Sequence, residues 1–212
     1  MSLTDRQLSQ GGKPAEGVCW QAWRPDQVAD LLRDVSAPWY VAGGWALDLF
    51  RGHQTREHGD LEIGVPSAAF GQIRDALAAC EFEAAGDGML WPVDGPAFAS
   101  THQTWVSEPA PDLADGRVYR LDVFREASRD GLWVCRRDER IALPYETLVG
   151  RTLAGIPYLR PEITLLFKAK YTRAKDEADF RGVLPQLTAG ARLWLRHNLE
   201  LVHPGHAWIE VL

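Results

Sequence analysis

Asp60 and Glu62 are carboxylates separated by one residue in a stretch, Asp60-Leu61-Glu62-Ile63-Gly64-Val65, that alternates polar and apolar. Strict alternation predicts a half-buried strand. On a strand, residues i and i+2 share a face, so the two acids point one way while Leu61, Ile63 and Val65 take the core side. Paired carboxylates on one face can hold hard cations through oxygen. The plain alternative is a strand whose polar face happens to be acidic. A third acid, Asp122, lies in the strand-like run VYRLDVF, where alternation places it with Val118, Arg120 and Phe124. An acid among apolar neighbours costs free energy unless it is paired, hydrogen-bonded or on a metal. Three carboxylates from two adjacent strands would form a two-metal site, with ions about 3.5–4 Å apart. One ion would activate an attacking hydroxyl and the other would steady a leaving pyrophosphate. Asp60, Glu62 and Asp122 are therefore the candidate catalytic and metal-binding residues, with Mg²⁺ or Mn²⁺ as the expected ion.

A triphosphate needs its own binding groups. The apolar run 39–42 stops at Gly43-Gly44, and a short helix from Trp45 to Phe50 follows. Glycine lets backbone approach a phosphate, and a helix N-terminus offers unpaired N–H groups and positive dipole. Among 23 basic residues only four are lysines, and three of them, Lys168, Lys170 and Lys175, fall within eight residues. These three could neutralise triphosphate as point charges, with a solvated helix face as the bland reading. Arg56 and His58 precede the acidic strand. They could touch phosphate or acceptor, or order the loop through a salt bridge. Asp48 could orient Arg56, Asp176 reads as a helix N-terminal anion, and Asp179 could pair with Lys175.

The elements that must position these groups follow a simple order. Residues 1–20 read as a loose Gly- and polar-rich tail. A helix is predicted over about 24–35, and Pro66-Ser67 starts another with Phe70, Ile73 and Leu77 inward. Further strands are expected at 88–93, 102–107, 117–125 and 131–137. After about 140 the pattern turns helical: Pro161 opens ITLLFKAKYT, Lys175-Asp176 opens a second helix, and Thr188 caps ARLWLRHNLELV. The expected domains are a tail over 1–20, a core over 21–140 and a helical region over 141–212 packed on that core. The fold class is α/β (α+β), a mixed β-sheet flanked by helices.

Composition narrows the function. The net charge of -6 argues against a nucleic-acid partner and would suit a cationic acceptor. No apolar run is long enough for a membrane span, and the N-terminus shows no secretory signal, so a cytoplasmic location is expected. Cys19, Cys80 and Cys135 are widely spaced and form no CxxC, which fits three buried thiols in a reducing compartment. His203-Pro204-Gly205-His206 reads as a turn more readily than as a zinc site. Trp39, Trp133 and Trp194 look like core anchors. Trp91 and Trp105 could stack on a sugar ring, although burial is the commoner use. No nucleophile-elbow, zincin, P-loop or dinucleotide fingerprint occurs.

The stretch GGWALDLFRGHQTREHGDLEIGV (43–65) resembles the signature of antibiotic nucleotidyltransferases. It is closest to the lincosamide and aminoglycoside 2''-nucleotidyltransferase group of the DNA polymerase β-like superfamily. YLRPEITLLFKAKYTRAKDEADFRGVLPQL resembles the helical region of the same group. The resemblance implies a mixed sheet flanked by helices, Asp60, Glu62 and Asp122 as metal ligands, and Gly43-Gly44 against the triphosphate. One departure is Glu62, where the usual form has aspartate. The implied activity is metal-dependent transfer of a nucleoside monophosphate, expected to be AMP, from a nucleoside triphosphate to a hydroxyl of a small cationic acceptor. An aminoglycoside or a lincosamide would qualify. Two alternatives stand beside it: transfer to a protein or other cellular target, as toxin–antitoxin members do, and a catalytically silent nucleotide-binding protein. The sequence does not set the oligomeric state.

Overall fold

The computed structural model describes residues 11–212 and divides the chain into two compact units. The first holds the chain up to Trp39 together with His58–Glu126; the second holds Tyr40–Glu57 and Ala127–Leu212. In chain order the first half contains β1 (Lys13–Pro14), α1 (Pro25–Leu31), β2 (Tyr40–Val41), α2 (Gly43–Arg51), β3 (Glu62–Pro66), α3 (Phe70–Ala76), β4 (Glu81–Gly86), β5 (Met89–Pro92), α4 (Ala97–Ser100) and β6 (Gln103–Pro109). The remainder contains β7 (Arg117–Glu126), β8 (Ser128–Arg129), β9 (Leu132–Val134), β10 (Ala142–Pro144), α5 (Tyr145–Leu148), β11 (Val149–Arg151), β12 (Pro157–Leu159), α6 (Pro161–Lys168), α7 (Ala174–Val183) and α8 (Ala189–Val202). The mixed α/β class expected from the sequence is the one observed.

The first unit is built on strands ordered β1-β5-β4-β6-β7-β3. Every neighbouring pair is antiparallel except β3 and β7, which run parallel. The alternation read at 60–65 is real. Leu61, Ile63 and Val65 are fully buried, and the helical positions Phe70, Ile73 and Leu77 are buried as expected. Residues 1–10 of the expected tail lie outside the described residues. Its later part is ordered: Lys13–Pro14 pairs with Met89–Leu90, and Val18 and Trp20 pack on a cluster of Ala85, Leu90 and Tyr119. Two apolar side chains and an open sheet edge hold it there, features that the Gly-rich composition hides.

The second unit has β12 parallel to β2 and antiparallel to β11, a separate antiparallel sheet β10-β9-β8, and four main helices. Helix α6 contacts α2, α7 and α8. Thr188 caps α8 by accepting from Ala191 N at 3.2 Å, as the sequence indicated. The expectation of helices alone after 140 needs correction, because β10, β11 and β12 lie there. Each is only three residues long, too short for a period-2 pattern to show. Trp133 is fully buried, whereas Trp39 and Trp194 are only partly so. Of the cysteines only Cys135 is buried.

Candidate active site

The carboxylate site is assembled on the sheet of the first unit. In the parallel pair β3/β7, Glu62 is the register partner of Asp122, and Asp122 N donates to Leu61 O at 2.8 Å. Asp60 stands one residue before Leu61 and is exposed. Strand pleating thus brings Glu62 and Asp122 to one face, with Asp60 two residues upstream of Glu62 on that side. The same row continues through Trp105, partner of Asp122, to Glu83, partner of Trp105.

Asp122 is 5% exposed, and its two oxygens differ. Oδ2 accepts from Gln103 Nε2 at 2.7 Å, whereas Oδ1 is buried without a hydrogen-bond partner. Burial pushes this carboxyl well above its ordinary range; the Glu62 charge adds to that, the Gln103 hydrogen bond opposes it, the Asp60 charge raises it further, and the indole N–H of Trp105 beside it opposes the rise. The electrostatic influence of both other acids on Asp122 shows that the three share one neighbourhood. As placed, among the described residues, no group of three or more His, Cys, Asp or Glu side chains is gathered as metal ligands.

One neighbour set differs from expectation. The β6/β7 register shifts between Val106 and Ser107, with Leu121 opposite Val106 but Tyr119 opposite Ser107. The extra residue on β7 is a β-bulge, which flips the alternation upstream of it. Tyr119 therefore takes the face of Asp122 in place of Arg120. Its hydroxyl donates to Glu83, which also pairs with Lys13 at 2.8 Å and Arg117 at 3.3 Å. Trp105 stacks edge-on against Trp20 and Tyr119, with ring centroids 5.1 and 5.5 Å away. Trp105 is half-buried beside the acids, whereas Trp91 is buried in a cluster with Ala84, Met89 and Ala97 and cannot present a face to a sugar.

The second unit carries the residues expected at phosphate. Helix α2 begins at Gly43 directly after β2, has no side-chain N-cap bond, and closes at Gly52 in a left-handed conformation. Gly43 has φ of 60°, a left-handed conformation that favours glycine. The strand–Gly-Gly–helix reading holds. The basic candidates divide. Lys168 is 9% exposed, and its ammonium binds Asp176 at 2.8 Å and Asp179 at 3.0 Å. Arg56 also reaches Asp179, at 3.4 Å. Lys170 and Lys175 are exposed, and Lys170 Nζ lies 4.9 Å from the Tyr171 ring centroid. Asp179 thus takes Lys168 and Arg56 as partners where the sequence suggested Lys175. Asp48 does not orient Arg56; it binds Thr55 N at 3.1 Å and Thr55 Oγ1 at 2.6 Å.

Asp176 does act at a helix N-terminus, accepting from Arg173 N at 3.1 Å. Burial pushes its carboxyl up, but hydrogen bonds from Arg173 and Lys168 outweigh that and hold it well below the usual range. His206 caps the final turn by accepting from Trp208 N at 3.2 Å, which accounts for half of the HPGH motif without zinc. Gln103 shows its role only in the structure, where its amide reaches Asp122. An amide in an alternating strand carries no signal until the strand pairing is known.

The aminoglycoside-2''-adenylyltransferase family model matches residues 26–107. That span holds Gly43, Gly44, Arg56, Asp60 and Glu62; Asp122 and the three lysines lie beyond it. No curated protein sequence matches the chain. Among solved structures, it is similar to the lincosamide antibiotic adenylyltransferase LnuA in its lincomycin-bound form: TM-score 0.51, 19% identity, covering 74% of this chain and 91% of that one. It is also similar to the antibiotic-resistance factor ANT(2'')-Ia: TM-score 0.51, 15% identity, covering 82% of this chain and 88% of that one. At such identities the likeness establishes the fold. The family match spans the Gly-Gly and acidic-pair signature, and with the shared fold it makes this chain similar to the antibiotic-modifying nucleotidyltransferases.

Proposed function

We propose that the chain transfers AMP from ATP to a hydroxyl of a small cationic acceptor, at a divalent-cation site formed by Asp60, Glu62 and Asp122. The observation that carries this reading is Asp122. Its oxygen Oδ1 is buried without a partner, beside Glu62 and under the influence of Asp60. A buried, unpartnered carboxylate oxygen is costly, and its raised protonation range marks a site completed by something positive. The donor set is all oxygen, which fits Mg²⁺ or Mn²⁺ rather than zinc. Such a cation, when bound, would neutralise the acids and polarise the α-phosphate.

The chain's own groups have separate tasks in this reading. The uncapped start of α2 at Gly43-Gly44 suits the triphosphate, since backbone N–H groups and helix dipole favour an anion. Lys170 and Lys175 are exposed cations available to phosphate, whereas Lys168 and Arg56 are already paired with aspartates. Trp105, on the row of Asp122, offers an aromatic edge to an acceptor ring. Adenylyl is the group named by the matched family, and LnuA is bound to lincomycin, so aminoglycoside and lincosamide antibiotics are the acceptors to try first. The acidic face and net charge of -6 favour amines over anions.

A panel of cationic, neutral and anionic hydroxyl compounds incubated with Mg-ATP tests the reading, with pyrophosphate release as readout. Turnover with a cationic antibiotic supports it. Release only with anionic acceptors, or AMP recovered on protein, would refute it.

A further inference from the structure

We propose that Gln103 is the positioning residue of the acid site: its amide ties down Oδ2 of Asp122 and reserves Oδ1 for the cation. The inference rests on the reading of Asp60, Glu62 and Asp122 as cation ligands. An aspartate's terminal torsion is broad, so the carboxylate plane is not set by its own rotamer. Something must fix it if one oxygen is to face a ligand reproducibly. At Asp122 that group is Gln103, whose Nε2 lies 2.7 Å from Oδ2. The amide is neutral, so it fixes the plane without supplying the positive charge that would replace a cation. Lys168 does the reverse for Asp176 and Asp179.

Gln103 is itself held at its backbone. It starts β6 opposite Phe124, and the preceding segment is gripped by Arg125. The Arg125 guanidinium donates to Phe98 O at 2.9 Å, to Thr101 O at 2.8 Å and to Thr104 Oγ1 at 2.9 Å. It lies 3.7 Å over the Phe98 ring, and Arg125 N donates to His102 O at 2.7 Å. Five contacts from one buried side chain and its backbone pin residues 98–104. The long Gln103 side chain then needs only its own torsions ordered to reach Asp122. Outer-shell hydrogen bonds of this kind typically change metal affinity by about 10–100-fold when removed.

The experiment is a calorimetric Mn²⁺ titration of the full chain, without nucleotide or acceptor, on wild type, Gln103→Met, Asp122→Asn and the double variant. Thermal melting checks folding, and Gln103→Ala replaces Gln103→Met if that variant melts early. The expected result is Mn²⁺ binding weakened about 10-fold or more by Gln103→Met at unchanged melting temperature. The double variant should be no weaker than Asp122→Asn alone, because Gln103 acts through Asp122. Wild-type affinity in Gln103→Met, with weakening in Asp122→Asn, would overturn the role of Gln103 alone. Equal losses from Gln103→Met in both backgrounds would overturn it too. Unchanged binding in Asp122→Asn would instead sink the acid-site reading itself.

Discussion

The two units each bury aspartates, and they treat them in opposite ways. In the second unit Asp176 and Asp179 are met by Lys168, Arg173 and Arg56, and Asp176 is held well below the carboxylate range. In the first unit Asp122 meets only neutral donors, the Gln103 amide at hydrogen-bond distance and the Trp105 indole beside it, faces two further acids, and is pushed well above that range. Burial alone therefore does not distinguish a structural acid from a functional one. In the proposed reading the balance of partners does: Asp176 and Asp179 are met by cations and serve the fold, and Asp122, met by no cation, serves the site.

The contrast is sharpest in activity. Asp60→Asn and Asp122→Asn should each lower AMP transfer by roughly 10²–10⁴-fold, since cation stabilisation of the transition state contributes several kcal/mol. Both should stay folded. Asp179→Asn should retain transfer per folded molecule. A steady-state assay on the three variants, normalised to folded protein by circular dichroism, makes the comparison. Equal activity losses in all three would erase the distinction.

Stability should invert the order. Lys168→Met leaves two buried aspartates without their shared cation, and breaking a buried pair costs about 3–5 kcal/mol. Denaturant unfolding would read that loss. Asp122→Asn instead relieves a strained charge in metal-free protein and should raise the melting temperature by about 2–4 °C for each kcal/mol gained. A lower melting temperature for Asp122→Asn without metal would show that its charge is already satisfied.

The pH profiles should differ in sign. Asp176, depressed in the fold, contributes stability that is complete above the ordinary carboxylate range and is lost as pH falls through its folded value. Asp122, raised in the fold, favours the folded state at low pH, and that contribution is lost as pH rises from the ordinary range towards its folded value. Asp176→Asn should therefore flatten the acid limb of the metal-free stability curve, and Asp122→Asn the neutral and alkaline side. Superimposable curves for the two variants would contradict the assignment.

The smallest expected effect is at Arg56. Its contact with Asp179 is long, at 3.4 Å, and Arg56 is partly exposed, so Arg56→Gln should cost no more than about 1 kcal/mol. It should leave the KM for ATP close to that of wild type. A tenfold rise in that KM, with stability unchanged, would return Arg56 to the triphosphate.

The legible parts of the molecule were those governed by local pattern. Asp60-Leu61-Glu62-Ile63 shows its faces through period 2, and Gly43-Gly44 marks a turn in which Gly43 takes φ of 60°, a conformation that favours glycine. Thr188 announces its helix because capping is decided within four residues. What stayed hidden depends on pairing. The bulge that gives Tyr119 the face of Asp122 is a property of two strands in register, so alternation along β7 alone assigned Arg120 instead. Lys168 looked like a phosphate ligand because its partners arrive from the next helix. Gln103 acquires meaning only once β6 lies beside β7. Strand β4, with the sequence EFEAAG, lacks clean alternation, so its place in the sheet shows only in its pairing with β5 and β6.

The most direct test of the central claim follows the acceptor itself. Wild type and Asp122→Asn are incubated with Mg-ATP and an aminoglycoside or lincosamide, and the intact mass of the acceptor is measured. The expected result is a gain of one AMP on the acceptor with wild type and none with Asp122→Asn. An acceptor unchanged by wild-type protein that binds Mg-ATP, or modified equally by Asp122→Asn, would contradict it.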